Sequence, residues 1–197
     1  MKNILILCCL FITISMSSQV TQTVPLHSTN YSNGVYFKDL NNELSFLVGT
    51  WEGELNNKKY TFEFTLFAQV LRSYENDMYD YRDDLMGKFK VVDLTTNQVL
   101  YNNLNSTNYE QYKISELYIR QQKEIDFLFQ DSENNCLNSA EFKLLKDDSN
   151  PNQIIYKDFE FNGFGIFYND TYGCPNYQNQ SDIPMFLPSQ NLILTRL

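Results

Sequence analysis

The chain has 197 residues with 15 basic and 24 acidic side chains, and its net charge of −9 argues against nucleic acid and anionic membranes as main partners. Its length favours one domain or two small ones, and its aromatic content of 15% excludes a disordered chain. Because the chain has 23 Asn but only two Ala, at Ala68 and Ala140, a helical bundle is not expected.

The first residues have the order of a secretory signal peptide. A short positive stretch ends at Asn3, an apolar run covers residues 4–14, and small residues follow it. We expect residues 1–18 to be a signal peptide, with cleavage after Ser17 or Ser18. The apolar run is too short to span a bilayer comfortably, and Leu7 before Cys8 does not fit a lipoprotein signal. The mature protein is therefore expected in the periplasm or secreted, with no transmembrane segment.

Two cysteines, Cys136 and Cys174, remain after such cleavage. An even pair in an exported protein predicts one disulfide. The two residues are 38 positions apart, and closing that loop would contribute about 4 kcal/mol on the chain-entropy model. Two free thiols or a metal pair are the alternatives. A metal site needs about four ligands, and the single histidine of the chain is the distant His27.

Residues 19–38 are polar at first and are interpreted as an exposed arm, followed by a single domain over residues 39–197. A short helix capped by Asp39 is predicted up to Phe46. The strongest strand signal is the alternation of apolar and polar residues from Tyr60 to Val70. Further strands are predicted at residues 46–55, 85–92, 98–101, 113–120, 124–130, 139–145, 153–161 and 191–197. Such a series of strands joined by polar turns predicts an all-β barrel or sandwich.

Residues 46–53, FLVGTWEG, open the first of these strands. The motif resembles the Gly-x-Trp start of the calycins, which include lipocalins, fatty-acid-binding proteins and nitrobindin-like barrels. The resemblance implies an up-and-down antiparallel barrel of 8–10 strands, lipocalin-like, with a short helix before the first strand. It assigns structural roles to Gly49, Trp51 and Arg196, with the arginine packed across the tryptophan near the end of the last strand. Nitrobindin-like members bind haem through a late histidine. This chain has none after His27, so that route is excluded, whereas a Tyr or Met ligand is not.

The leader MKNILIL, the LVGTWEG motif and the LILTRL ending together are similar to a group of small exported Bacteroidota proteins, known as a domain of unknown function. That resemblance implies a bacterial exported protein without an assigned activity.

The residues predict no catalytic group, no metal site and no cofactor. His27 lies in the predicted arm, and phosphate loops, zinc motifs and nucleophile elbows are missing from the sequence. A tyrosine-interleaved acidic cluster suggests either a calcium site or, as the favoured interpretation, a solvated loop. Its acidic members are Glu75, Asp77, Asp80, Asp83 and Asp84. Four glycosylation sequons, at Asn30, Asn105, Asn169 and Asn179, would matter only in a eukaryotic protein.

Alternating aromatic residues are candidates to line the barrel interior, and they suit either a filled core or a cavity. They are Phe62, Phe64, Phe89, Phe127 and Phe142. The first functional hypothesis is an exported, non-enzymatic protein that binds a small hydrophobic or amphipathic ligand in its barrel. The alternative is a structural or interaction protein of the periplasm or cell surface with a filled barrel and no ligand. An enzyme relying on carboxylates or tyrosines ranks third.

Overall fold

The computed structural model describes residues 20–120, 123–131, 138–161 and 182–197. Within those ranges the chain forms eleven strands and a short 3₁₀ turn at Tyr109–Gln111. The strands are β1 (Gln22–Pro25), β2 (Val35–Lys38), β3 (Gly49–Leu55), β4 (Lys58–Ser73), β5 (Tyr79–Asp93), β6 (Val99–Asn102), β7 (Ile114–Arg120), β8 (Glu124–Asp131), β9 (Asn138–Lys146), β10 (Gln153–Phe161) and β11 (Leu192–Arg196).

The chain divides into two compact units. Of the described residues, the first unit contains 20–40 and 69–83, and the second contains 41–68 and those from 84 onward. The long strands β4 and β5 contribute to both. This division differs from the predicted arm followed by a single domain over residues 39–197.

The first unit is a small β arrangement built around β2. Strand β1 pairs in parallel with β2, and β2 pairs in parallel with the start of β5 through Tyr36 with Tyr81 and Phe37 with Arg82. Val35 and Phe37 are buried. The segment predicted as an exposed arm thus supplies two strands and part of a core, because its short apolar runs follow the polar residues that suggested an arm.

The second unit is a closed antiparallel barrel of eight strands in the order β3-β4-β5-β7-β8-β9-β10-β11. Two pairings complete its closure: β11 with β3, through Arg196 and Trp51, and β5 with β7, through Gly87 and Ile114. Strand β6 lies off this path and pairs with β5. The predicted all-β class and up-and-down barrel are confirmed.

The barrel interior is filled with aromatic side chains along the described strands. All five phenylalanines predicted to line it are at most 1% exposed, and Phe129 and Tyr156 are equally buried. Ring centroids lie 5.6 Å apart for Phe62 and Phe89 and 4.8 Å apart for Phe142 and Tyr156. Burial of each such side chain stabilises the fold by about 1.5–3 kcal/mol, so this aromatic core is a main source of the barrel's stability.

The prediction of a helix before the first barrel strand is wrong. Within the second unit, the stretch from Asn42 forms turns, with hydrogen bonds from Leu47 N–H to Leu44 O and from Val48 N–H to Ser45 O. Asn42 has a φ of 54°, a left-handed conformation that a right-handed helix does not allow. The capping signal at Asp39 is therefore followed by a residue that stops the helix.

The alternation predicted along β4 holds only through its first half. Tyr60, Phe62 and Phe64 are buried, but Ala68 is exposed. Gln69 adopts a φ of 55°, which interrupts the regular pleat on which a period of two depends. This interruption falls where the strand passes from the second unit to the first.

Candidate functional site

The Trp51–Arg196 pair lies where β3 begins and β11 ends. The Cζ atom of Arg196 is 4.2 Å from the centroid of the Trp51 ring. The guanidinium donates to the carbonyls of Val48 at 2.7 Å and Phe46 at 2.5 Å, while the indole Nε1 donates to Leu47 O at 2.7 Å. The contact expected from the calycin resemblance is therefore present. Both side chains donate their hydrogen bonds to backbone carbonyls, which indicates a structural role for the pair.

Gly49 leaves room for the contact between Trp51 and Arg196. Its φ of +123° is a conformation that side chains rarely adopt, and a Cβ atom there would lie 3.0 Å from Arg196 Nη1. Any larger residue would push the guanidinium away from the indole. The three residues to which the calycin resemblance assigns structural roles thus meet at one place.

Two buried tyrosines add polar groups to the aromatic core of the barrel. Tyr156 is fully buried, and its hydroxyl has no hydrogen-bond partner within the described residues. Burial, and then the proximity of Tyr60, raise the pKa of Tyr156 above its usual range. Burial also raises the pKa of Tyr60. Both phenols are therefore held neutral and cannot serve as bases near neutral pH.

The acidic cluster is divided between a loop and a strand. Glu75 and Asp77 are exposed in the loop between β4 and β5, as the sequence favoured, whereas Asp80, Asp83 and Asp84 are buried in β5. Asp83 accepts hydrogen bonds from the Tyr36 hydroxyl, from Asp39 N–H at 3.0 Å and from Gln69 N–H at 3.1 Å. These bonds tie β2 and the end of β4 to the start of β5 within the first unit. Asp83 is therefore a structural carboxylate, since both of its oxygens accept hydrogen bonds from the surrounding strands.

Asp84, in the second unit, accepts a hydrogen bond of 2.7 Å from the Tyr109 hydroxyl. Near it in sequence, the Lys88 ammonium contacts Glu63 Oε1 at 3.0 Å and the carbonyls of Leu104 and Ser106 at 3.0 and 3.1 Å. A buried ammonium with three oxygen partners is fully satisfied. The sequence analysis missed Lys88, whose position in a predicted strand gives no sign of these partners.

The described residues do not form a site for a metal ion. Across residues 20–120, 123–131, 138–161 and 182–197, no three His, Cys, Asp or Glu side chains are grouped closely enough to hold a metal ion. Cys136 and Cys174, and with them the predicted disulfide, lie outside the described residues, as does the predicted signal peptide.

Among the described residues, a pocket in the first unit is the candidate binding site. We name it the aromatic pocket; it has a volume of about 260 Å³. It is lined by Tyr31, Ser32, Phe37, Tyr74, Met78, Tyr79 and Asp80. These residues come from the loop before β2, from β2 itself, from the loop between β4 and β5, and from the start of β5. Apolar and aromatic side chains with a single acid are a lining typical of small-molecule sites.

Backbone and side-chain hydrogen bonds hold the walls of the aromatic pocket. Tyr74 N–H donates to Met78 O at 2.7 Å, which closes the hairpin. Asn33 accepts from Tyr79 N–H through Oδ1 at 2.7 Å, and Gly34 N–H donates to Tyr79 O at 2.8 Å. The loop before β2 is thereby fixed to β5. The pocket is thus preorganised rather than formed by loose loops.

Asp80 is the polar group of the aromatic pocket. It is 9% exposed; its Oδ2 accepts a hydrogen bond of 3.0 Å from the Tyr74 hydroxyl, while its buried Oδ1 has no partner in the described part of the chain. Burial, and then this hydrogen bond with Asp80, raise the pKa of Tyr74, whereas Arg72 acts on the same hydroxyl in the opposite direction. A buried carboxylate oxygen without a donor is costly, but Oδ1 has almost no accessible surface and is therefore not open to a ligand in the pocket.

The sequence analysis did not find this pocket. Its two halves are distant in the chain, and the hydrogen bond between Asn33 and Tyr79 that holds them together spans 46 positions. One signal is visible in the sequence, namely the tyrosines interleaved with acids at residues 74–84. That pattern alone indicates a solvated loop, because the segment before β2 that completes the pocket has the composition of an arm.

Among the described residues, no helix is long and apolar enough to cross a bilayer. Fold and pocket together define a protein that combines a closed antiparallel β-barrel with a smaller β unit bearing an aromatic pocket. The barrel is consistent with a calycin-like fold. The chain belongs to the family of unknown function DUF6705, whose model matches residues 1–196. Neither a curated protein nor a solved structure matches the chain.

Proposed function

We propose that this chain is an exported, non-enzymatic binding protein whose ligand is a small amphipathic molecule held in the aromatic pocket. The observation that carries the proposal is the preorganised pocket itself, with its apolar lining and one buried acid. The sequence had suggested a ligand inside the barrel. Because aromatic side chains pack closely inside the barrel, we infer that the interior stabilises the fold and that the ligand binds outside it.

Non-enzymatic binding is favoured because the polar groups near the pocket lack a catalytic arrangement. Asp80 faces aromatic rings and the Tyr74 hydroxyl, whose raised pKa keeps it protonated at neutral pH. The export part of the proposal rests on the signal-like leader, and a bacterial origin rests on the resemblance to exported Bacteroidota proteins.

A titration with the neutral fluorescent dye Nile red tests the proposal. We expect saturable fluorescence enhancement by the mature protein and loss of most of it in Tyr31→Ala and Met78→Ala, which remove exposed parts of the lining. Ile193→Ala is the matched control, because it removes an exposed apolar side chain from the other unit. Dye binding that survives both pocket variants would place the ligand elsewhere and overturn the proposal.

A second candidate function is an interaction protein that uses the same surface. Tyr31 is 72% exposed, Tyr74 53% and Met78 45%, so the mouth of the pocket offers apolar surface to a partner. A protein partner would bury the whole patch, whereas a small ligand fills only the pocket. Under this alternative, small molecules would leave the amide signals of the first unit unshifted in NMR spectra.

A further inference from the structure

We propose that Asn33 is a deamidation site, at which the backbone nitrogen of Gly34 displaces ammonia from the asparagine side chain, and that the native contacts of both residues with Tyr79 restrain this reaction. The inference goes beyond the proposed function. It is carried by the Asn-Gly sequence at residues 33–34, by the exposure of Asn33 and by the hydrogen bonds of this pair in the first unit.

The reaction needs only water as its co-reactant. The peptide nitrogen of Gly34 loses its proton and forms a bond to Cγ of Asn33, while the Cγ–Nδ2 bond breaks and the side-chain amide takes up a proton and leaves as ammonia. Water then opens the resulting succinimide ring at either carbonyl, which yields aspartate or isoaspartate. Glycine favours the first step because it has no side chain to hinder its own nitrogen. The isoaspartate product has a longer backbone between residues 33 and 34.

The fold requires both members of the Asn-Gly pair. Gly34 has a φ of 79°, a left-handed conformation that favours glycine. Asn33 accepts a hydrogen bond from Tyr79 N–H through Oδ1 at 2.7 Å and donates one to Asp77 O through Nδ2 at 3.4 Å. The loop therefore needs a glycine for its backbone and an amide for its side-chain bonds. The contacts that position this wall of the aromatic pocket thus also place a chemically labile pair there.

Tyr79 engages both reacting groups in the native structure. Its carbonyl accepts a hydrogen bond of 2.8 Å from Gly34 N–H, and its own N–H donates to the side chain of Asn33. Gly34 is buried, whereas Asn33 is exposed. Ring closure requires the Gly34 nitrogen to lose its proton and to turn towards Cγ, so its bond with Tyr79 must first break. The reaction therefore proceeds from an opened loop, and its rate follows the fraction of molecules in which the loop is open.

Deamidation should weaken the attachment of this loop to β5. Both products replace the amide of Asn33 by a carboxylate, which cannot donate to Asp77 O. Isoaspartate also shifts Gly34 away from Tyr79, because the backbone between residues 33 and 34 is longer. The same loop carries Tyr31 of the aromatic pocket. The reaction would thus loosen one wall of the pocket, and this consequence alone rests on the proposed function.

Peptide mapping by mass spectrometry tests the site in the mature protein, incubated at neutral pH with and without urea. In urea, Asn33 should deamidate about as fast as Asn162, which also precedes a glycine, and Gly34→Ala should slow the reaction at Asn33 only. In native buffer, Asn33 should react at least about tenfold more slowly than in urea. Equal rates in the two conditions would overturn the restraint by Tyr79, and no reaction at Asn33 in urea would overturn the site.

Thr21→Val loosens the loop without altering the reacting pair. Thr21 donates through Oγ1 to Asn33 O at 3.1 Å, and valine removes this donor. The variant should accelerate deamidation of Asn33 in native buffer by about twofold or more and leave the rate in urea unchanged. Thr23→Val, at another exposed threonine, is the matched control and should change neither rate. A native rate in Thr21→Val equal to that of the wild type would refute the dependence on opening of the loop.

Separation of the aged protein by chromatography tests the consequence for the pocket. The isoaspartate form should exchange the amide hydrogen of Tyr79 at least about tenfold faster than the wild type and should bind Nile red more weakly. Asn33→Asp, which keeps an oxygen acceptor for Tyr79 N–H, should show a smaller increase in exchange. Unchanged exchange at Tyr79 in the isoaspartate form would refute the loosening of the loop. Failure of the wild type to bind Nile red would refute the proposed function but not the modification, because reaction rates and exchange are measured without a ligand.

Discussion

The guanidinium of Arg196 lies over the indole of Trp51, with its Cζ atom 4.2 Å from the ring centroid, and at the same time holds the carbonyls of Phe46 and Val48. The last barrel strand is thereby fastened to the turns that precede the first. One side chain thus combines ring stacking with hydrogen bonding, so the closure of the barrel depends on the planar shape of arginine as well as its charge.

Arg196→Ala should lower the free energy of unfolding by about 2–4 kcal/mol, because it removes a cation–π contact and hydrogen bonds from a charged donor. Arg196→Lys should recover less than half of that loss, since an ammonium cannot stack and reach both carbonyls together. Urea unfolding followed by Trp51 fluorescence measures both. Lys123→Ala, at an exposed ion pair, is the control and should be near neutral. A lysine variant as stable as wild type would contradict the proposed role of the planar group.

At Gly87, β5 passes close to the aromatic core. A Cβ atom there would lie 2.7 Å from Phe64 Cε1 and 3.1 Å from Ile114 Cβ. Gly87→Ala should therefore cost about 1–3 kcal/mol through overpacking. Combining it with Phe64→Leu, which shortens the obstructing side chain, should give a double variant more stable than the sum of the two single losses predicts. Strictly additive losses in urea unfolding would show that the ring is not the obstacle.

The barrel was predictable because its signals are local. Tyr60, Phe62 and Phe64 alternate with polar residues, and the side chains that this pattern assigns to the interior are buried. The position of Trp51 in the first barrel strand and of Arg196 in the last follows from the calycin resemblance. The prediction of a helix was wrong because Asn42 adopts a left-handed conformation. Asparagine tolerates this conformation, but the sequence alone does not show that a given asparagine adopts it.

The candidate site was not predictable for a different reason. Asp83 and Asp80 belong to an acidic stretch that by composition indicates a solvated loop. Asp83 is buried because its donors, the Tyr36 hydroxyl and Asp39 N–H, arrive from 47 and 44 positions away. A charge can be buried when such partners are supplied, and local patterning contains no information about partners that the tertiary fold brings together.

Ionisation of Tyr36 should weaken the folded state at alkaline pH. Burial, and then the hydrogen bond with Asp83, raise the pKa of Tyr36 to about 12. The folded protein therefore retains this proton over a range in which the unfolded chain, with a tyrosine pKa near 10, releases it. The resulting stabilisation is complete below pH 10 and is lost as the pH rises from about 10 to about 12.

Comparison with Tyr36→Phe isolates this effect from the other tyrosines. The difference in unfolding free energy between wild type and the variant should be constant up to about pH 10 and should fall towards pH 12. Urea unfolding at closely spaced pH values measures it. Tyr31→Phe, at an exposed ring, is the control for removal of a tyrosine hydroxyl that Asp83 does not hold. A flat difference for Tyr36→Phe would show that its hydroxyl is not held by Asp83.

Export and oxidation make a joint prediction about mass. Expression of the full chain in a host that exports proteins should yield a product lacking residues 1–17 or 1–18, whose denatured mass also shows the loss of the thiol hydrogens of Cys136 and Cys174. Reduction should restore those hydrogens and, by opening a loop closed across 38 positions, lower the unfolding free energy by about 4 kcal/mol. Cys136→Ser with Cys174→Ser is the control and should be insensitive to reductant.

Two results would contradict this prediction, and they bear on different parts of it. An uncleaved product would remove the basis for export, because the leader alone supports it. A cleaved product with both thiols intact would retain export and exclude the disulfide. The closure of the barrel would then depend on non-covalent contacts such as the stacking of Arg196 on Trp51 and the pairing of β11 with β3, and reductant would leave the unfolding free energy unchanged.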